Sequence, residues 1–259
     1  MNPHMTTRDD DHLDFNRVQP ITSTSFLRRQ LAWGQDSVAA ENFHLLAHRL
    51  HRARTRKSFQ TVLITSAIPG EGKSTVALNL SGTLAQNGPR TLLIDADLRL
   101  PDARKAFAFD SGFGLGAVLA GEVSLNDALR FVAPLGVYVL PAGERVANPT
   151  PVLEGPAFKT LLKRARENFD WVIIDSPPLR PFADAHCIAF MAEAILLVVK
   201  WGFTPKRQLD HALKALDGLP LLGMVLNSFD DTSEKYYNSY YHESAALPAP
   251  VAPRALPSA

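Results

Sequence analysis

Thr61-Val-Leu-Ile-Thr-Ser-Ala-Ile-Pro-Gly-Glu-Gly-Lys-Ser-Thr75 is the stretch from which the rest of the chain can be organised. Thr61 to Ser66 is a β-branched, apolar run of strand length. Ala67 to Gly72 holds a proline and two glycines, so the strand stops there. Past Lys73, Val76, Leu80 and Leu84 recur every four residues, which predicts a helix, and Asn87-Gly88-Pro89 ends it. A Gly-rich turn between strand and helix is suited to phosphate: Gly70 and Gly72 let backbone N–H groups close around oxygens, and the helix adds its positive end. Lys73 is placed to reach β- and γ-phosphates and Ser74 to offer its hydroxyl to Mg²⁺, with Glu71 and Thr75 completing the loop. The usual pattern begins with Gly, where this chain has Ala67.

Working outward, the same alternation repeats. Thr91 to Ile94, Val137 to Leu140, Trp171 to Ile174, Ala194 to Val199 and Leu222 to Leu226 read as strands, with helices between several of them. The clearest helix is read as capped by Thr204, with Pro205 at its first position and Leu209, Leu213 and Leu216 on one side. Another runs from Asp36 or Ser37 to about Arg56, carrying Phe43, Leu46 and Leu50. Near-continuous apolar strands alternating with helices predict an α/β fold, a mainly parallel sheet covered on both faces. Ligands in such sheets lie beyond the carboxyl ends of the strands. Residues 1–35 show no sustained period and are expected to be a loose arm. Residues 36–230 are expected to form the domain, and 231–259, polar, then Tyr-rich, then Ala/Pro-rich, a flexible tail.

Two further strands end in acid. Leu92-Leu93-Ile94-Asp95-Ala96-Asp97-Leu98-Arg99 sets two carboxylates two apart, hence on one side, where they repel unless a divalent metal or a hydroxyl nucleophile resolves the conflict. Asp170-Trp171-Val172-Ile173-Ile174-Asp175 places a third carboxylate behind four apolar residues, the pattern that holds Mg²⁺ beside a phosphate loop. Any one of these Asp residues alone reads as readily as a helix cap or loop residue. Three at strand ends beside that loop read as a nucleotide site.

The combination of PGEGKST, LLIDADLR and DWVIIDSPP resembles the bacterial tyrosine kinases of capsule and exopolysaccharide synthesis, with Walker A, A′ and B segments in that order. Shorter segments match in sequence: Gly114-Leu115 with Val118 to Glu122, Leu140 to Gly143 with Asn148-Pro149, Asp184-Ala185, and Gly223 to Asn227. The resemblance spans about Ser37 to Tyr241. It implies that Lys73 and the loop amides bind ATP, that Ser74, Asp97 and Asp175 organise Mg²⁺, and that Asp95 or Asp97 helps activate an incoming tyrosine hydroxyl. It implies an adenine contact for Asn227. It further implies a homo-oligomer, a separate transmembrane co-polymerase as activator, and an opposing tyrosine phosphatase. Partition and positioning ATPases of the ParA/MinD type are the alternative, but they carry a lysine where this chain has Ile68. A scaffold that uses ATP only to gate assembly is a third reading.

Four of the five tyrosines, Tyr236, Tyr237, Tyr240 and Tyr241, crowd into the polar tail. The resemblance makes them phosphoacceptors. Each phosphate would add about −1.5 to −2 charges, so several together would repel and release the tail. The chain departs from the family in its first long helix, where Glu is ordinarily followed by Arg at the third and sixth positions after it. Here Glu41 is followed by His44 and Ala47, although Arg49, Arg52, Arg54, Arg56 and Lys57 lie nearby. His44, His48 and His51 share a helical face but lack an acidic or cysteine companion, so they read as surface histidines.

The bulk properties agree with this picture. A formal net charge of +1 over 259 residues gives no basic surplus for nucleic acid. The lone Cys187 excludes an internal disulfide and reads as buried and inert. No apolar run approaches the ~20 residues of a membrane helix; Ala194 to Val199 stops at Lys200. The polar first residues, Met1 to Asp14, do not read as a secretory signal. The expectation is a cytoplasmic protein held at the inner face of the membrane through its partner.

Overall fold

A computed structural model describes residues 13–21, 38–86, 88–99 and 113–228. The chain divides into two units, Met1–Ser228 and Phe229–Ala259, and every described residue belongs to the first. Tyr236, Tyr237, Tyr240 and Tyr241 lie outside the described residues, as do the expected cap residues Asp36 and Ser37.

The strands are β1 (Gln19–Ile21), β2 (Thr61–Ser66), β3 (Thr91–Asp95), β4 (Arg130–Val132), β5 (Val137–Leu140), β6 (Trp171–Asp175), β7 (Ala194–Lys200) and β8 (Leu221–Asn227). They form one sheet in the order β1-β4-β5-β3-β6-β2-β7-β8. Every pairing is parallel except β4 with β5. The helices are α1 (Val38–Arg56), α2 (Lys73–Ala85), α3 (Leu115–Ala120), α4 (Leu125–Ala128), α5 (Pro149–Glu154), α6 (Pro156–Asn168), α7 (Asp184–Ala189) and α8 (Lys206–Ala215).

Strand alternation sends side chains to two separate cores. Val62, Ile64, Leu93, Trp171 and Ile173 pack with Ala47 and Leu50 of α1 and Val76, Leu80 and Leu84 of α2. Leu63, Leu92, Ile94, Val172 and Ile174 pack on the other face with Phe158 and Leu162 of α6, Ile188 of α7 and Ala212 of α8. The sheet is thus covered on both faces, as the apolar runs predict. Helix α2 is buried from Val76 through Leu84. Its polar side chains are satisfied within the helix: Ser81 Oγ donates to the Ala77 carbonyl (2.7 Å), Thr83 Oγ1 to that of Asn79 (2.9 Å) and Asn79 Nδ2 to that of Thr75 (2.8 Å).

The structure departs from expectation in four places. Residues 13–21, inside the stretch expected to be loose, carry a 3-10 turn and β1, with Leu13 and Val18 buried. The Asp14 backbone N–H is tied to Asn126 Oδ1 at 3.1 Å. β4, also three residues long, was not read as a strand; neither it nor β1 is long enough to show a period. β8 is an edge strand rather than a doubly covered one, and Leu222, Met224 and Leu226 are 42–56% exposed on one side. Finally, α8 begins at Lys206 behind an extended Pro205, with no side-chain cap. The Thr204 hydroxyl is engaged elsewhere, in the nucleotide loop.

On α1, Glu41 and His44 are exposed, but Ala47 is buried. A long basic side chain at that position would have to leave the core in which Ala47 packs with Leu50 and Trp171. His44, His48 and His51 are all exposed; His51 meets the Trp171 ring edge-on, with ring centres 5.2 Å apart. Burial, then the charges of Arg54 and His48, hold the His51 pKa below its ordinary value. Cys187 is buried, and its Sγ donates to Glu154 Oε1 at 3.2 Å.

Candidate nucleotide and phosphoryl-transfer site

The order β3-β6-β2 at the centre of the sheet sets three of the marked strand ends side by side. Asp95 pairs with Asp175 in register, and the Ala96 N–H donates to the Asp175 carbonyl at 2.8 Å. β2 lies against β6 on the other side and leads into the Gly-rich loop. Residues about 80 apart in sequence therefore face one another.

The loop is braced from within. Gly70 and Gly72 have φ of +84° and +88°, the left-handed region that a Cβ disfavours. A Cβ on Gly72 would come 2.1 Å from Asn227 Nδ2, so any side chain there would displace the amide that braces the loop. Glu71 is wholly buried. Its carboxylate accepts the Ile68 N–H at 2.7 Å and the Thr204 hydroxyl. Thr204 Oγ1 also accepts the Lys200 N–H at 3.1 Å, which ties the loop to the end of β7. Asn227 Nδ2 donates to the Glu71 carbonyl at 2.9 Å, tying it to the end of β8. Glu71 and Asn227, read from sequence as nucleotide contacts, thus have bracing as their visible work. Thr204 was missed, because a Thr-Pro before an amphipathic run reads as a helix cap and nothing local links it to a residue 133 positions away.

Lys73 Nζ stands 3.7 Å from Asp97 Oδ2, 3.9 Å from Asp175 Oδ1 and 3.3 Å from Ser74 Oγ. Burial alone would lower the Lys73 pKa, but the charges of Asp175, Asp97 and Asp95 outweigh it, and the net shift is upward. Lys73 is held as an ammonium. Asp95 is 2% exposed, and burial, with Asp175 beside it, pushes its pKa up to about 8 even though it accepts the Asp97 N–H at 3.1 Å. Burial also raises Asp175, against the charge of Lys73 and a hydrogen bond from Ser74. Three carboxyl groups crowd one ammonium, and a bound cation would relieve the mutual repulsion that, with burial, raises Asp95 and Asp175.

A magnesium ion fits this donor set. Asp175 Oδ1 is buried without a hydrogen-bond partner. The Ser74 hydroxyl and the Asp97 carboxylate lie beside it, and hard oxygen donors in small number are what Mg²⁺ takes when phosphates and water complete its shell. Among the described residues no group of three or more His, Cys, Asp or Glu is arranged to hold a metal unaided.

The strand end that carries Asp97 is clamped from a second direction. Arg99 donates to both oxygens of Asp184, Nε at 2.6 Å and Nη2 at 3.1 Å. Thr150 Oγ1 donates to Asp184 Oδ1 at 2.5 Å, and the Arg99 guanidinium lies 4.2 Å from the centre of the Phe182 ring. The sequence shows Asp184 only as one residue of a matching segment; its partners come from elements 34 and 85 positions away.

A family model described as an AAA domain matches residues 60–203, the span from β2 to just past β7. The tyrosine-protein kinase YwqD of Bacillus subtilis is 35% identical over 206 residues, covering 79% of this chain and 87% of YwqD. The chain belongs to the bacterial tyrosine kinase family. The succinoglycan biosynthesis transport protein ExoP of Rhizobium meliloti is 33% identical over 253 residues. That match covers 91% of this chain but 31% of ExoP, so the kinase spans about a third of that relative's length. The solved kinase domain of the Escherichia coli tyrosine kinase ETK superposes with a TM-score of 0.71 at 26% identity, over 81% of this chain and 88% of that domain. The positioning-ATPase reading gives way to the kinase reading on these relatives. The kinase has the P-loop architecture, and no helix among its described residues is long and apolar enough to cross a membrane.

Proposed function

We propose that this kinase transfers the γ-phosphoryl group of ATP to Tyr236, Tyr237, Tyr240 and Tyr241 of a neighbouring copy, and so regulates polymerisation and export of an exopolysaccharide. In this reading residues 36–230 are the catalytic body and 231–259 the acceptor tail. The observation that carries it is the Lys73 ammonium, held within 4 Å of both Asp97 and Asp175 at the mouth of a Gly-rich loop. Phosphoryl transfer needs mainly such positioning and charge stabilisation. The amides of Gly70 to Thr75 and Lys73 would hold the phosphates, with Ser74, Asp97 and Asp175 holding Mg²⁺. The ion, when bound, neutralises charge developing on the phosphate oxygens.

The tyrosine oxygen bonds to the γ-phosphorus as the bond to the β–γ bridging oxygen breaks, and ADP leaves. The phenolic proton passes to a carboxylate at the end of β3, Asp95 or Asp97. Asn227 would reach the adenine with the part of its amide not bound to Glu71. A transmembrane co-polymerase would activate the kinase and hold it at the inner face of the membrane, and a tyrosine phosphatase would reset it. The homology to ExoP, whose name states a role in succinoglycan biosynthesis and transport, supports the polysaccharide setting.

Incubation with Mg²⁺–ATP followed by tyrosine-resolved mass spectrometry tests the reading. Phosphate is expected on the tail tyrosines and absent when all four are Phe. Lys73→Ala should lower the rate by about 10²–10³. Nucleotide binding with no phosphotyrosine, even beside a membrane activator, would refute the kinase reading and leave a gated scaffold.

A further inference from the structure

One feature of the fold lies beside the transfer site yet takes no part in it. Between α3 and the corner joining α5 to α6 is a cleft of about 770 Å³, within the ~300–1,000 Å³ typical of ligand pockets. Phe113, Leu119 and Val146 give it an apolar lining, and Glu122, Glu144 and Arg145 border it. Phe113 is 57% exposed. The cleft is fastened to the transfer site, since the Val146 N–H donates to the Leu98 carbonyl at 3.0 Å and Leu98 directly follows Asp97.

One segment of the chain has complementary chemistry. From Ala245 to Ala259 the sequence reads AALPAPVAPRALPSA. Pro248, Pro250, Pro253 and Pro257 fix their own φ and push the preceding residues toward extended backbone. A sequence of that kind favours a polyproline II strand, which loses little entropy on docking in an aromatic-lined apolar groove. Leu247, Val251 and Leu256 supply apolar side chains, and Arg254 is the one charged residue from Ser244 to Ala259. It would meet a border carrying two carboxylates and one guanidinium.

We propose that the cleft between α3 and the α5–α6 corner is a docking groove for the Ala/Pro-rich segment, residues 245–259, of a second copy of this chain. The geometry suits transfer between copies. Leu247 lies six residues past Tyr241, a reach of at most ~20 Å for extended chain. A tail held in the groove keeps its tyrosines near Asp97, so docking raises their local concentration at the transfer site. The groove would then select this chain's own tail over other tyrosine-bearing peptides. The proposal rests on the reading of the tail as an acceptor in trans, but docking can be measured without phosphoryl transfer.

The test uses the full chain with benzoylphenylalanine at position 251, mixed with an isotopically heavy copy of the same sequence, photolysed and mapped by mass spectrometry. Light-to-heavy crosslinks are expected at Leu119, Val146 and their neighbours in the cleft. Glu144→Arg should lower their yield about fivefold, the size of one exposed ion pair. Adding Arg254→Glu to the same chain should recover part of it. Crosslinks confined to one chain, crosslinks to another surface such as β8, or none at all would each overturn the proposal. Tail phosphorylation in the unlabelled protein is followed in parallel. Crosslinks in the cleft without phosphotyrosine would uphold docking while refuting the kinase reading. Phosphotyrosine without crosslinks would do the reverse.

Discussion

Replacing Arg99 and Asp184, singly and together, measures how firmly the strand end that carries Asp97 is held from outside the phosphate loop. The two partners are unequally placed: the Asp184 side chain is 1% exposed and that of Arg99 25%. Among the described residues, Arg99→Met leaves the buried Asp184 carboxylate with only the Thr150 hydroxyl, and an uncompensated buried charge costs roughly 3–5 kcal/mol. Asp184→Asn leaves a guanidinium that can turn to water. Its cost is that of hydrogen bonds to a charged group, ~1.5–3 kcal/mol, discounted to ~1–2 kcal/mol for partial solvent exposure. The double variant removes both charges and should be no less stable than Arg99→Met alone, a coupling of about 1–2 kcal/mol. Urea unfolding of the four proteins reads these differences. Tyrosine phosphorylation should fall about tenfold or more in Arg99→Met, because Arg99 lies two residues past Asp97 and a misplaced group of about 1 Å is that costly. If Asp184→Asn costs as much as Arg99→Met, or if the two losses simply add, the clamp does not work as described.

Gly72→Ala forces a left-handed residue with a Cβ 2.1 Å from Asn227 Nδ2. It should cut affinity for a fluorescent nucleotide analogue about 5- to 30-fold through ~1–2 kcal/mol of backbone strain, while far-UV circular dichroism stays native. Glu193 accepts the N–H groups of Gln60 and Thr61 at 2.8 and 2.9 Å. Burial opposes its ionised form, but those donors and Arg166 win, holding its pKa below the ordinary 4.5. Its stabilisation is therefore full above that value and lost as pH falls through the lower folded one. Glu193→Gln should cost ~1 kcal/mol at pH 7, with the gap closing in acid, and a gap that widens in acid would reverse the assignment. Burial, aided by Glu154, pushes the Cys187 thiol up to about 11. Iodoacetamide at pH 8 should react with it roughly a hundredfold slower than with an ordinary thiol, and urea should restore the rate.

Much of the sheet was legible because each central strand is an apolar run bounded by turn residues, and the helices after β2 and β7 carry apolar residues three or four apart. That local signal needs a run of several residues, which is why β1 and β4 escaped it. The edge position of β8 escaped for a different reason. Gly223-Met-Val-Leu226 is apolar whether one face is covered or two, and composition does not record which neighbour is missing.

The sequence by itself determined the chemical inventory: a Gly-rich loop with Lys73 and Ser74, and three carboxylates at the ends of two apolar segments. These follow from residue type and short spacing, which the chain carries with it in any conformation. Only the tertiary structure decided how those parts meet. The strand order β3-β6-β2 brings Asp95 against Asp175 and Lys73 between Asp97 and Asp175, because adjacency in a parallel sheet is set by crossovers and not by position in the chain. Tertiary structure likewise bound Glu71 to Thr204, and Arg99 to Asp184 and Thr150. In each case a group removed from water takes the partner that packing brings within reach, and residues 51 to 133 positions apart leave no local mark of that choice.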